Sequence, residues 1–362
     1  MNHNKAFIIV VVLLSASVSG YELYQRYNAE EEPRFQWPDK VDIPCNPDSA
    51  EFDCEVYAQV SSTPVKSLQH PTNNEIWIAA LNGIIASWDG TTMTEIGNLS
   101  DVISNCHNEQ GLLGFEFTHD FSSSQEILLS YTENADCEGG SNLSGMVIAS
   151  VEVVDNKINM NSLVELRTIA KENRNHNGGN LHSLNDGTYL WSLGDGGGSS
   201  DPYGNGQNVH NPLGTIQYFS YGNKMIEPVF DNYGNDTDYV LHHGLRNPWK
   251  FDTDNQGRLW IADVGQYCFE EVNVVPMLTQ SNFGWSEREG MHIYDPSDDC
   301  SSPPDALTDS SLTDPIIEYP HVGGNCSITG GFWMDWGPNS LQNSYIYGCL
   351  LYTSDAADDS GC

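Results

Sequence analysis

The stretch Arg174–Gly198, RNHNGGNLHSLNDGTYLWSLGDGGG, carries two signals at once. Its centre reads as a hairpin. Asn185, Asp186 and Gly187 tolerate tight-turn dihedrals, and the run TYLWSL that follows is apolar enough for a buried strand. Its ends carry chemistry. His176 stands beside a glycine pair, and Asp195 sits inside the turn GDGGG. A histidine takes a proton near neutral pH, and a neighbouring carboxylate fixes its tautomer and stabilises the imidazolium. Strands joined by a hairpin can bring His176 and Asp195 to one rim of a sheet. Taken alone, the segment also fits an ordinary glycine-rich turn with a surface histidine.

The same hairpin recurs along the chain. QHPTNNEIWIAAL (69–81), FTHDFSSSQEILLSY (117–131) and FDTDNQGRLWIADVG (251–265) repeat the pattern of HSLNDGTYLWSLGDGG (182–197). Each has a polar turn followed by a buried-strand run that ends at a polar or glycine rim. Successive copies lie roughly 50 to 70 residues apart, the scale of one four-stranded propeller blade. A β-sandwich is the alternative, but its strands have no reason to reuse one hairpin so regularly. The expected fold is all-β.

Composition sets the setting. The 362 residues include 33 Gly and 17 Pro, as suits a turn-rich β protein with an ample core. Lys and Arg number 14 against 50 Asp and Glu, for a net charge of −36. That surface repels phosphate backbones and anionic lipid, which argues against nucleic-acid and membrane-surface partners. Residues 1–20 read as a signal peptide: Lys5, an apolar stretch Ala6–Val18, then Ser19 and Gly20. That stretch is short for a membrane span, so a secreted, periplasmic or cell-surface location is expected, without a span once the signal is removed. Cysteines are scattered with no CxxC pair, as in exported proteins. Proximity suggests Cys45–Cys54 and Cys106–Cys137, and leaves the rest open. A lead segment covers 21–55 and the propeller 56–348. The final CLLYTSDAADDSGC (349–362) breaks the preceding style and reads as a non-native tail.

Four further motifs join the opening one: NEQGLLGFEFTHDF (108–121), HHGLRNPWKFD (242–252), DVGQYCFEEVNVV (263–275) and NFGWSEREG (282–290). In the third, a glycine turn lies next to Glu270 and Glu271, a combination of oxygens suited to Ca²⁺. Together and in this order, the motifs resemble the glucose/sorbosone dehydrogenase family, the soluble aldose dehydrogenases that use pyrroloquinoline quinone. Hedgehog-interacting-protein-like domains are its non-enzymatic relatives. The resemblance runs from about Val65 to Gly348 and implies a six-bladed β-propeller, here with an incomplete last blade.

It also implies roles. His176 matches the catalytic base, Asp195 the acid that orients it, and Arg246 and Asn247 residues at the cofactor's reactive carbonyl. A guanidinium there would meet the charge that builds on a quinone oxygen accepting hydride. Gly265 and Gln266 match positions that hold the cofactor's Ca²⁺ through backbone oxygens, with Glu270 and Glu271 at nearby acidic positions. Glu109, a candidate cofactor contact, sits where cofactor-using members often carry Gln. Asp335, in GGFWMDWG, falls where the family has a basic residue facing the quinone carboxylates. The implied activity is oxidation of a sugar alcohol group, with electrons passed on to an external acceptor. A cofactor-free, Ca²⁺-stabilised module that binds protein or glycan is the alternative, favoured by Asp335 and Glu109. A propeller lactonase is weaker, because no Asn/Asp/Glu metal cage is evident.

Overall fold

The computed structural model describes residues 57–351 apart from 61, 135–143, 230–237, 298–299, 301–304, 322–324, 338 and 340. The proposed signal peptide, the Cys45–Cys54 pair, Cys137 and most of the proposed tail lie outside these residues.

Strands dominate, and they form successive antiparallel meanders. The first is β1 (Pro64–Gln69), β2 (Ile76–Ala80), β3 (Ile84–Trp88) and β4 (Met93–Asn98). The second is β5 (Leu112–Phe117), β6 (Glu126–Thr132), β7 (Met146–Val154) and β8 (Lys157–Ile169). The third is β9 (Leu181–Ser183), β10 (Thr188–Leu193), β11 (Thr215–Gly222) and β12 (Met225–Pro228), with β13 (Val240–His243) also on β11. The fourth joins β14 (Pro248–Thr253), β15 (Arg258–Asp263), β16 (Phe269–Pro276) and β19 (Ile317–Pro320). A small hairpin, β17 (Arg288–Glu289) and β18 (His292–Ile293), is inserted before β19. Last comes the pair β20 (Asn325–Met334) and β21 (Ser344–Leu351). The fold is an all-β propeller, and each recurring hairpin is the first two strands of one four-stranded blade.

The second strands are buried on both faces because each blade is packed between neighbours. Ile127, Leu128 and Leu129 alternate in direction, yet all three are fully buried. Ile127 and Leu129 pack toward the first sheet, and Leu128 toward the third. The apolar cores therefore lie between sheets rather than within one. First strands meet across the axis: Lys66 of β1 bonds Glu116 of β5 at 3.0 Å and also the Leu181 carbonyl oxygen of β9.

Cys268 and Cys300 form a disulfide. Cys106 is also disulfide-bonded. At the C-terminal end, β21 continues three residues past the expected boundary at Gly348, with Cys349 opposite Ile328 and Leu351 opposite Asn325.

Candidate active site

One rim of the propeller gathers His176, Asp195, Arg246, Asn247, Gly265 and Gln266. His176 precedes β9, Asp195 follows β10, Arg246 precedes β14, and Gly265 and Gln266 follow β15. Starts of first strands and ends of second strands share that rim in an antiparallel meander, so residues far apart in sequence meet there.

Backbone contacts draw the segments together. Gly194 lies between two of them: a Cβ there would stand 2.2 Å from the His176 carbonyl oxygen and 3.1 Å from that of Arg246. The Asp195 N–H donates to the Arg246 carbonyl at 2.8 Å. His176 is in the left-handed region, at φ 51°, a conformation uncommon for a residue with a side chain. Glu109 supports it by accepting the His176 N–H at 2.8 Å. Asn177 reaches the Glu109 carbonyl at 2.9 Å.

The side chains form a connected set. His176 Nδ1 lies 2.7 Å from Asp195 Oδ1, and both residues are buried. Asp195 accepts two further hydrogen bonds, from the Gly197 N–H at 2.9 Å and from Trp285 Nε1 at 2.8 Å. Burial works against its charge, but His176, Arg246 and the Gly197 N–H together hold its carboxyl below the usual range. An ionised carboxylate is an acceptor only, so Nδ1 carries a proton, and in the neutral ring the Nε2 lone pair is free. That Nε2 is buried and has no hydrogen-bond partner among the described residues.

Arg246 is the site's fixed positive charge. It is only 5% exposed, and its hydrogen bonds go to neutral oxygens: Gln266 Oε1 at 3.3 and 3.0 Å, and the Val264 carbonyl at 3.2 Å. A buried guanidinium satisfied by neutral acceptors retains its charge for something that enters the site. Asn247 Oδ1 accepts the Gly178 N–H at 3.1 Å.

Several residues of the site carry no local signal of their roles in the sequence. Asp263 accepts the backbone N–H groups of Arg246 and Asn247, at 2.8 and 2.7 Å, so it sets the turn that presents both. Burial pushes its carboxyl up to about 7 despite those bonds. Glu289 Oε1 gathers the N–H groups of Gln266, Tyr267, Cys268 and Phe269 at 2.6 to 3.2 Å. Lys171 is buried, donates to the Asn175 carbonyl at 2.9 Å, and is pulled down to about 8 by burial. Trp285 lies with its ring 5.7 Å from the Arg246 guanidinium. Three of them lie in NFGWSEREG or open DVGQ, while Lys171 lies in neither motif; nothing local says which partner each side chain finds.

Two expectations are corrected. The structure does not support Glu270 or Glu271 in or near a Ca²⁺ shell: adjacent on a strand they point to opposite faces, and both are buried. Glu270 accepts the N–H groups of Gly265, Ser327 and Ile328 and contacts His321 Nε2 at 2.6 Å, which ties β16 to β20. Glu271 stands opposite Asp263 in the ladder, and burial together with that neighbouring carboxylate raises its carboxyl well above the ordinary range. Among the described residues, no cluster of three His, Cys, Asp or Glu side chains could hold a metal. The second correction concerns Asp335. It lies exposed beyond the far end of β20, where its charge is felt by Asp252. Asp252 is near the end of β14, whereas Arg246 precedes its start, so Asp335 does not face the Arg246 rim.

Comparison with known proteins agrees with this architecture. The sequence model described as glucose/sorbosone dehydrogenase matches residues 62–349. The chain is 31% identical to the HIPL2 protein of Arabidopsis thaliana over 199 residues, and 31% identical to the HIPL1 protein of the same plant over 204. Those alignments cover 48% of this chain but only 27% and 28% of the two relatives. Among solved structures, the PQQ-bound aldose sugar dehydrogenase of Streptomyces coelicolor superposes with a TM-score of 0.61 at 18% identity, over 81% of this chain and 83% of that one. The apo soluble aldose sugar dehydrogenase of Escherichia coli gives 0.64 at 18% identity, over 80% of each chain. At such identity the likeness is one of fold. No helix among the described residues is long and apolar enough to cross a membrane.

Proposed function

Since the chain belongs to the glucose/sorbosone dehydrogenase family, we propose that it is an exported oxidoreductase that oxidises an aldose or related sugar alcohol group with pyrroloquinoline quinone. The observation that carries this reading is the buried Nε2 of His176, without a hydrogen-bond partner among the described residues, whose other ring nitrogen is held by Asp195, beside an arginine whose guanidinium hydrogen-bonds neutral oxygens. A base and a guanidinium with no carboxylate hydrogen-bonded to it, in one buried site, fit a hydroxyl donor together with an electron-rich group.

When bound, the quinone supplies the carbonyl that accepts hydride. His176 Nε2 takes the proton of the sugar hydroxyl as the C–H bond gives up its hydride and the carbonyl of the product forms. Asp195 stabilises the resulting imidazolium and keeps the ring in place. Arg246 stabilises negative charge on an oxygen brought against it, and Asn247 is proposed as a second contact there. Glu109 fixes the left-handed backbone of His176 and is proposed as a cofactor contact beside it. Burial of the set excludes water that would otherwise screen these charges.

Ca²⁺ is proposed at backbone oxygens of Gly265 and Gln266, without Glu270 or Glu271. The N–H groups of residues 266–269 turn inward to Glu289, which favours carbonyls directed outward. A six-bladed ring also remains part of the proposal, as do an external electron acceptor and a secreted, periplasmic or cell-surface location. The Cys268–Cys300 disulfide supports that location.

One observation favours a second reading, a cofactor-free propeller that binds protein or glycan. Gln266 Oε1 is already engaged by the Arg246 guanidinium, so the group that a quinone would meet is partly satisfied within the protein, as suits a Ca²⁺-stabilised binding module. Titration of the protein with quinone and Ca²⁺, followed by the quinone's absorbance, separates the two. Saturable binding, weakened at least about tenfold by Arg246→Ala, supports the oxidoreductase. A folded protein that takes up no quinone belongs to the second reading.

A further inference from the structure

Trp285 joins parts of the site that lie on different segments. Its indole Nε1 donates to Asp195 Oδ2 at 2.8 Å, while Asp195 Oδ1 is engaged by His176 Nδ1 at 2.7 Å and the Gly197 N–H at 2.9 Å. The other side of the residue is fixed by its own backbone. Its N–H donates to the Gly244 carbonyl at 3.0 Å, and its carbonyl accepts Gln207 Nε2 at 2.7 Å. Gly206 approaches so closely that a Cβ there would stand 2.4 Å from that carbonyl oxygen. Asp201 closes the seat by accepting the Gly206 N–H at 3.0 Å and the hydroxyl of Ser286 at 3.2 Å. This is more support than a packing tryptophan needs.

We propose that Trp285 is a positioning residue for the proton acceptor: its indole N–H locks the Asp195 carboxylate so that Oδ1 stays on His176 Nδ1 and Nε2 stays free for substrate. The proposal rests on the oxidoreductase reading above. A carboxylate has two equivalent oxygens and can rotate. Anchoring Oδ2 removes that freedom, because the two donors on Oδ1 cannot be exchanged without leaving Oδ2 bare in a buried place. Phenylalanine at this position keeps an aromatic ring near Arg246 but removes the donor. Asp195 is then left with an unsatisfied oxygen, and the geometry that fixes the histidine tautomer loosens.

The test uses the Trp285→Phe variant with two independent readouts. In the quinone-free protein, proton NMR follows the low-field Nδ1–H resonance of His176, assigned by its loss in His176→Ala. In the reconstituted protein, dye reduction gives kcat and KM. The proposal predicts a folded variant whose low-field resonance is lost or broadened. It also predicts kcat reduced about 10- to 100-fold with KM changed by less than about threefold. A low-field resonance like that of the unaltered protein overturns it, whatever happens to activity. If Trp285→Phe does not fold, Gly206→Ala, which pushes on the Trp285 carbonyl, is read in the same way. Dye reduction absent from the unaltered protein, with the resonance still dependent on Trp285, rejects the oxidoreductase reading and leaves the positioning contact standing.

Discussion

Gly194 and His176 are in backbone contact: a Cβ on Gly194 would lie 2.2 Å from the His176 carbonyl oxygen. The partner atom belongs to the main chain and cannot swing aside. Gly194→Ala is therefore expected to force apart the segments carrying His176, Asp195 and Arg246. Stability should fall by about 2 kcal/mol or more, measured by urea denaturation. A loss below about 0.5 kcal/mol would show that the contact is slack.

Glu289 plays a comparable part for the turn after β15, since one carboxylate oxygen receives four consecutive N–H groups. Glu289→Ala leaves those donors without a partner and should cost about 3 kcal/mol. Glu289→Gln keeps an oxygen acceptor and should cost less than half of that. Equal losses in the two variants would place the effect in side-chain volume rather than in the hydrogen bonds.

The Asp263–Glu271 pair gives a pH signature. Both carboxyls are raised, so between about pH 4 and 7 the folded protein binds more protons than the unfolded chain. Their contribution is fully present below the unfolded values and is lost as pH rises through the folded ones. Glu271→Gln, a neutral near-isostere, should match the unaltered protein in thermal stability near pH 4 and exceed it at pH 7. The reverse order at pH 7 would mean that the ionised form of Glu271 is the stabilising one.

Cys268 belongs to the same turn, and its bond to Cys300 closes a loop with a sequence separation of 32. Breaking it by Cys300→Ser should cost about 3 to 4 kcal/mol if the loop is otherwise free in the unfolded chain. Because Gln266 is two residues away, quinone binding should weaken along with stability. Unchanged binding in a destabilised Cys300→Ser protein would separate the disulfide from the site.

The parts of this molecule that could be read from sequence are those with local causes. IWIAA, ILLSY, YLWSL and LWIAD each follow a polar turn and end at a rim, and each is the second strand of a blade. His176 and Asp195 were legible together because one hairpin connects them. The arginine turn was legible as a motif, but not its support, because Asp263 reaches Arg246 from the end of another strand. Trp285 and Glu289 act over separations of 90 and about 20 residues, and no local pattern names their partners. The paired acids misled for a physical reason. Two carboxylates adjacent in sequence suggest one cation, yet a strand turns them to opposite faces, where one ties sheets together and the other is buried opposite Asp263.

The central claim is that His176 accepts a proton from a sugar hydroxyl in a quinone-dependent oxidation, and its most direct measurement is turnover. Protein reconstituted with pyrroloquinoline quinone and Ca²⁺ is given aldoses and an artificial dye, alongside His176→Ala. The account predicts sugar-dependent dye reduction by the unaltered protein and a loss of at least about 100-fold in the variant, at undiminished quinone binding. A folded, quinone-loaded protein that reduces no dye with any aldose, or a His176→Ala variant of equal activity, would contradict it.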